Sequence, residues 1–188
     1  MQNTYSKRFD GINLYLEFTV KTKLVGKLVL SLFIILCFVA FVYLVLLSFP
    51  INDDVIIPIV IFTIVIIAFP VRYLIWNCYG KEYLIINKKT LSYYYSYYLI
   101  NTMLKTKKYN EISIAIEIVK ENEEGKFGRL VFLDTNKETS LPDFLFQTSV
   151  LLKYDDLEII RKNIFDLFFN EDFKEIDNKK LFEKIYLN

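Results

Sequence analysis

Two long apolar segments near the N-terminus constrain this chain more than any other feature. The first runs from Leu28 to Phe49 without a charged residue, and the second runs from Val55 to Trp76 with Arg72 as its only charge. A helix rises about 1.5 Å per residue, so each segment can cross a hydrocarbon core of roughly 30 Å. The sequence therefore predicts a two-helix transmembrane hairpin at residues 24–76, with spans at 28–49 and 55–76.

The distribution of basic residues orients this hairpin. The short connection Pro50–Asp54 forces the spans to run antiparallel and contains no Lys or Arg, whereas basic residues flank both outer ends, at Lys7, Arg8, Lys21, Lys23, Lys27, Arg72, Lys81, Lys88 and Lys89. Cytoplasmic loops carry the excess of Lys and Arg. We expect both termini in the cytoplasm and the lipid bilayer as an obligatory partner.

Four residues at the ends of the spans have the chemistry of membrane–water anchors. Lys27 and Arg72 can extend their charges to the headgroups, and Tyr73 and Trp76 belong to the aromatic types enriched at interfaces. The alternative for Arg72 is a functional intramembrane charge. The anchor interpretation is favoured because Arg72 is not at mid-depth.

Period-two alternation predicts strands on both sides of the hairpin. In the N-terminal segment 1–23, apolar residues alternate from Ile12 to Val20, which predicts a strand that joins the C-terminal domain, with an amphipathic interfacial segment as the alternative. In the cytosolic domain 77–188, short runs separated by polar turns predict strands at 82–87, 91–99, 105–109, 112–119, 129–134 and 138–141.

The end of the chain changes to helical spacing. Asp155 or Asp156 can cap a helix in which Leu157, Ile160, Ile164, Leu167 and Phe168 recur on one side, and a last short helix is predicted at about 178–186. The first of these helices needs an apolar surface to cover, and the predicted sheet provides one. The predicted fold class is a membrane helical hairpin plus an antiparallel α+β domain closed by a C-terminal helix.

Several short segments resemble small bacterial membrane proteins with a pleckstrin-homology-like (PH-like) domain, including YcxB-like proteins. The resemblance is carried by Tyr79–Ile86, the Leu91 strand, Lys108–Ile112 and Leu141–Phe144. It implies a partly open β-barrel closed by a helix, in a two-pass protein of the bacterial inner membrane. It implies no catalytic residues, and the tyrosine-rich strand and the last helix depart from the pattern.

Composition argues against most enzymatic chemistry. The chain has no histidine, which removes the commonest general base and the usual metal ligand, and its five glycines form no phosphate-binding motif. Cys37 and Cys78 lack the spacing of a zinc site. The net charge of +1 provides no basic excess for DNA or RNA. We predict a protein without catalytic residues, metal or cofactor.

Two residue clusters are candidate ligand-binding sites. Tyr93, Tyr95 and Tyr97 share one face of a strand, and Tyr94 and Tyr98 share the other face. The favoured interpretation is that one face packs in the core and the other packs against a helix or the membrane interface. The alternative is that the tyrosines stack on a flat ligand. Three lysines form a basic cluster that either meets anionic headgroups or protects an edge strand from unwanted pairing, at Lys105, Lys107 and Lys108.

Three functions fit these features. The first is a non-enzymatic membrane protein whose cytosolic domain binds a protein partner, anionic lipid headgroups or its own copies. The second is a membrane-disrupting antiphage effector gated by a cyclic nucleotide, in which the tyrosines stack on the base and the lysines meet phosphates. The third is an immunity protein that guards the membrane against a toxin. Fold alone does not choose among them.

Overall fold

The structure, a computed structural model, describes residues 4–47, 53–123, 125–135 and 142–168. Helix α1 spans Leu24–Leu47 and helix α2 spans Asp53–Tyr79, and the two helices contact each other. Among the described residues, one segment, Leu24–Tyr43 of α1, is long and apolar enough to cross a membrane, and none of it is buried inside the protein. α1 begins before the predicted Leu28, and α2 continues past the predicted Trp76.

Six strands form an antiparallel sheet, called sheet A. They are β1 (Thr4–Phe9), β2 (Leu14–Thr19), β3 (Gly80–Ile86), β4 (Thr90–Tyr97), β5 (Ile100–Asn101) and β6 (Lys105–Lys108). The order is β1-β2-β3-β4, and β5 and β6 both pair with β4. The predicted N-terminal strand is β2, which pairs with β3 although both helices separate them in the chain. Strand β1 was not predicted because its sequence lacks apolar alternation, as expected of a mostly exposed edge strand.

Four more strands form sheet B, with β8 at its centre. They are β7 (Ile112–Asn122), β8 (Gly125–Thr135), β9 (Pro142–Gln147) and β10 (Leu152–Lys153), and β9 and β10 pair with the same side of β8. The predicted strand at 138–141 lies outside the described residues. The Pro142–Phe144 step is part of β9, and Pro142 is tolerated there because it is the first residue of an outer strand.

The core lies between the two sheets and under helix α3 (Tyr154–Phe168). Sheet A contributes Leu16, Phe18 and Leu84, and sheet B contributes Phe132, all almost completely buried. One face of α3 completes the core with Leu157, Ile160 and Ile164, as its helical spacing predicted. The second predicted helix, 178–186, lies outside the described residues.

The observed fold class is α+β with antiparallel sheets, and the described strands do not form a closed barrel. The chain passes from β6 to β7 through Tyr109–Glu111 without ladder pairing between these strands, so sheets A and B remain separate. Large buried side chains such as Phe18 and Phe132 fill the space between the sheets. The described strands therefore form two sheets with a shared core, and the PH-like barrel is not confirmed.

Both long helices attach at one end of sheet A, called the helix-proximal end. β3 follows α2 directly, and α1 starts a few residues after β2. The Val20 amide donates to the Gly80 carbonyl at 3.0 Å, and Thr22 Oγ1 donates to the Asn77 carbonyl at 2.9 Å. The turns that follow β1 and β3 lie at the opposite, helix-distal end.

Candidate functional site

An open cleft of about 610 Å³, called the junction cleft, lies where the last turns of α2 meet the helix-proximal end of sheet A. It is lined by residues of α2, of β4 and of the turn after β9: Phe69, Arg72, Tyr73, Trp76, Tyr95, Tyr97 and Ser149. Three predicted membrane anchors and two predicted ligand-binding tyrosines therefore line one cleft. The sequence analysis had placed these residues in separate sites.

Close contact between α2 and the sheet depends on Gly80, the first residue of β3. A Cβ atom there would collide with the backbone carbonyl and the indole of Trp76. The indole lies against two tyrosines of β4, with ring centroids 5.7 Å from Tyr95 and 5.1 Å from Tyr97. Aromatic pairs at such distances prefer these edge and tilted arrangements, so Trp76 joins α2 to the sheet.

Arg72 is the cation of the cleft. Its Nη2 donates to the Tyr97 hydroxyl at 3.2 Å, and its guanidinium carbon lies 5.1 Å from the centroid of the same ring. A guanidinium carries five N–H donors, and the Tyr97 hydroxyl accepts one of them. The contact with Tyr97 orients the side chain without neutralising its charge, which suits it to binding an anion.

A buried carboxyl lies behind the cleft. Glu82 of β3 is fully buried and lies opposite Tyr95 in the sheet. Its oxygens accept the Ser149 amide at 2.8 and 3.1 Å and the Val150 amide at 3.2 Å, which fixes the turn that carries Ser149. Burial raises the pKa of Glu82 from 4.5 to about 7, against the lowering effect of these hydrogen bonds. Burial thus favours the neutral form of this carboxyl.

The predicted tyrosine faces are largely present. Tyr93 stacks on Phe146 of sheet B with centroids 4.1 Å apart, and on the other face of β4 Tyr94 stacks on Tyr83 at 4.6 Å. Tyr98 was expected to share that second face, but β4 ends at Tyr97 and Tyr98 lies in the following turn. Because protein groups cover the rings of Tyr93, Tyr94 and Tyr97, the favoured packing interpretation fits them better than a stacking platform.

The three predicted lysines do not form one basic surface. In β6, Lys105 lies opposite Tyr93 and Lys107 opposite Leu91, so both share the core-facing side of sheet A, whereas Lys108 alternates to the other side. Lys107 Nζ donates to the Leu145 carbonyl at 2.6 Å and so links sheet A to β9. Lys108 is separated from Lys105 and Lys107 because side chains alternate between the two faces of a strand.

Lys27 lies in the first turns of α1, away from the cleft lining.

Sequence reasoning missed Glu82, Ser149 and Phe69. The alternation of β3 carried a signal for Glu82, because it occupies the buried register of Leu84 and Ile86 and a charge is unexpected there. Ser149 had no local signal, since its position depends on the pairing of β9 and β10 with β8. Phe69 is one of many apolar residues in its segment, and only the fold distinguishes it.

Among the described residues, no group of three or more acidic or cysteine side chains is placed to hold a metal ion. No match to the chain is found among protein-family models, curated proteins or solved structures. The PH-like resemblance stays a prediction. The geometry of the junction cleft is thus the strongest indication of function.

Proposed function

We propose that this chain is a non-enzymatic two-pass protein of the bacterial inner membrane whose PH-like cytosolic domain binds anionic phospholipid headgroups in the junction cleft. The observation that carries the proposal is Arg72, which lies in an aromatic cleft close to the end of an apolar helix. The two antiparallel sheets covered by α3 support the PH-like assignment. The length and apolarity of α1 support the membrane location.

The position of Arg72 along α2 agrees with the depth of a headgroup. Arg72 lies seven positions before Tyr79, the last residue of α2, which corresponds to about 10 Å along the helix. The polar and interfacial layer on each side of a bilayer is about 5–8 Å thick, and the long side chain of Arg72 can extend toward it. If α2 spans the membrane up to this region, Arg72 lies among the phosphates and the sheet stands in the cytosol.

The lining residues match the two parts of a phospholipid. A guanidinium binds phosphate oxygens through two parallel N–H donors, and burial favours the neutral form of the nearby Glu82 carboxyl. Phe69, one helical turn earlier, is largely exposed and can contact an acyl chain. Tyr73 and Trp76 are the residue types that prefer the boundary between these layers.

Trp76 is the only tryptophan of the chain, so its fluorescence reports directly on the cleft. The full chain in a neutral detergent should be titrated with dihexanoyl phosphatidylglycerol and, separately, with dihexanoyl phosphatidylcholine. We expect a saturable change of Trp76 emission that is stronger with the anionic lipid. Arg72→Gln should weaken the anionic binding about tenfold, because a hydrogen bond to a charged group contributes roughly 1.5–3 kcal/mol.

Arg8→Gln is the matched control, since Arg8 is an exposed arginine of β1 near the helix-distal end. It should bind like the wild type. Equal responses to both lipids, or an Arg72→Gln variant that binds normally, would contradict the proposal. Stabilisation by a cyclic dinucleotide instead would favour the effector hypothesis, and no response to either ligand would leave a protein partner.

A further inference from the structure

The segment Tyr98–Leu104, called the 98–104 loop, exposes an unusual set of apolar side chains. It contains the β4–β5 hairpin turn, β5 and the approach to β6. Five of its seven residues are large and apolar, with exposures between 55% and 86%: Tyr98, Leu99, Ile100, Met103 and Leu104. No residue of the loop is charged. A contiguous exposed apolar patch of this kind marks an interaction surface.

The middle of the loop, residues 100–102, has paired backbone groups despite these exposed side chains. Tyr97 pairs with Ile100 in the hairpin, and the Thr102 amide donates to the Tyr95 carbonyl at 2.8 Å. Thr102 Oγ1 accepts the Tyr95 amide at 2.9 Å. Paired backbone groups can enter an apolar phase at low cost, whereas unpaired ones cannot. The paired part of the loop therefore has the hydrogen bonding that favours entry into an apolar layer.

The turn keeps an aromatic residue where the backbone favours glycine. Tyr98 has φ 66°, in the left-handed region, at the first central position of a two-residue hairpin turn. Glycine is the usual residue there, and another residue costs about 1–2 kcal/mol. The ring of Tyr98 lies against Tyr79, the last residue of α2, in a tilted arrangement with centroids 4.8 Å apart, and this contact offsets part of the cost.

The loop lies at the same end of the domain as the two long helices. Tyr97, which precedes it, pairs with Gly80 directly after α2, and the Tyr98–Tyr79 contact continues the surface of α2 onto the loop. Lys105 follows the loop and is exposed. Apolar residues next to a lysine that can reach anionic headgroups form a pattern typical of interfacial membrane segments.

From this continuity with α2 we propose that the 98–104 loop inserts into the interfacial layer of the leaflet where α2 ends. The loop is a second membrane contact, which holds sheet A at a fixed tilt and directs the junction cleft toward the lipid headgroups. The inference rests on the proposed function, because it requires the long helices to lie in a bilayer. The occupant of the apolar patch is lipid, not a protein.

Spin labels on single cysteines test this placement in the full chain. After replacement of Cys37 and Cys78 by serine, a label is placed at Leu99, at Leu36 in α1 or at Ile12 in the helix-distal turn, all exposed apolar positions. The protein is reconstituted in nanodiscs of phosphatidylcholine and phosphatidylglycerol. Two collision rates are then compared for each spin label. One is the rate with oxygen, which concentrates in lipid, and the other is the rate with a water-soluble nickel complex.

We expect the Leu99 label to collide with oxygen and to be several-fold less accessible to nickel than the Ile12 label. A Leu36 label protected from nickel, together with a Leu99 label accessible to it, would overturn the insertion and leave the proposed function intact. A Leu36 label accessible to nickel would overturn both. A Leu99 label protected from both reagents would show that protein covers the loop, which also overturns the insertion.

A charge in the turn provides a second measurement. Leu99→Asp should raise nickel accessibility several-fold at a label on Met103, because a carboxylate resists entry into the apolar layer. Ile12→Asp is the matched control and should leave that label unchanged. Circular dichroism checks that the Leu99→Asp protein is still folded. If it is folded and the nickel accessibility of the Met103 label is unchanged in both variants, the result contradicts insertion.

Discussion

The two ends of sheet A build their turns from different chemistry. At the helix-distal end, Asp10 Oδ1 accepts the amides of Ile12 and Asn13, and Gly11 adopts φ 93°. At the helix-proximal end, the β4–β5 turn uses Tyr98 and Leu99, with exposed aromatic and aliphatic side chains. The same sheet thus closes its hairpins mainly with polar residues at one end, where Ile12 is an exposed apolar exception, and with apolar residues at the other.

The helix-distal turns also support each other. Asn87 Oδ1 accepts the amides of Lys89 and Thr90 at 3.0 and 2.9 Å, and Asn87 Nδ2 donates to Asn13 Oδ1 at 3.1 Å. Side chains that satisfy their own turn are typical of surfaces in water. The contrast with Tyr98 and Leu99 supports the proposal that the helix-proximal end contacts lipid whereas the helix-distal end contacts water.

The largest expected effect concerns burial in the N-terminal strands. Phe18 of β2 is fully buried near the helix-proximal end, whereas Phe9 of β1 is 43% exposed near the helix-distal end. We expect Phe18→Ala to lower the free energy of unfolding by about 3–5 kcal/mol, because it leaves a cavity in the core. Phe9→Ala should cost about 1 kcal/mol or less.

Denaturant titration of the full chain in a neutral detergent measures both values. Similar costs for the two variants would contradict the assignment of β2 to the shared core.

The next effect is a pH dependence at the helix-proximal end. The folded-state pKa of Glu82 is about 7, above its ordinary 4.5, because the group is buried. The folded state therefore binds the extra proton, and stability falls as pH rises from 4.5 to about 7, by about 3 kcal/mol. Glu82→Gln should remove this slope. Melting curves of the full-length wild type and of Glu82→Gln, recorded from pH 4 to 8, test this prediction. Equal losses of stability in the two proteins as the pH rises would refute it.

The smallest effect has the opposite sign and lies at the helix-distal end. The amides of Asn13 and Ile12 lower the pKa of Asp10 below its ordinary 3.8. Its contribution to stability is present above pH 3.8 and is lost as pH falls below it. Asp10→Asn should be less stable than the wild type near neutral pH, and the difference should shrink in acid. Melting curves of both proteins extended well below pH 3.8 test this, and a difference that grows in acid would exclude it.

Local sequence patterns singled out many residues of the candidate site. Arg72 and Trp76 were expected at the membrane boundary from their place at the end of an apolar segment, and the alternation of Tyr93, Tyr95 and Tyr97 on one strand face is observed. What local patterns missed is that these groups meet. Side chains distant in the chain come together only when α2 packs on β4, and no periodicity reports that contact.

The sequence by itself determined the apolar length of the helices, the alternation of the strands and the helical spacing of α3, because these properties depend on residues a few positions apart. Tertiary structure alone decided that β2 pairs with β3, although both helices lie between them in the chain. It also decided that the strands form two sheets and that Glu82 is buried against Ser149 and Val150. These outcomes depend on long-range pairing and on the shared core. Such contacts join residues far apart in the chain, and their energies are decided by how whole faces pack together.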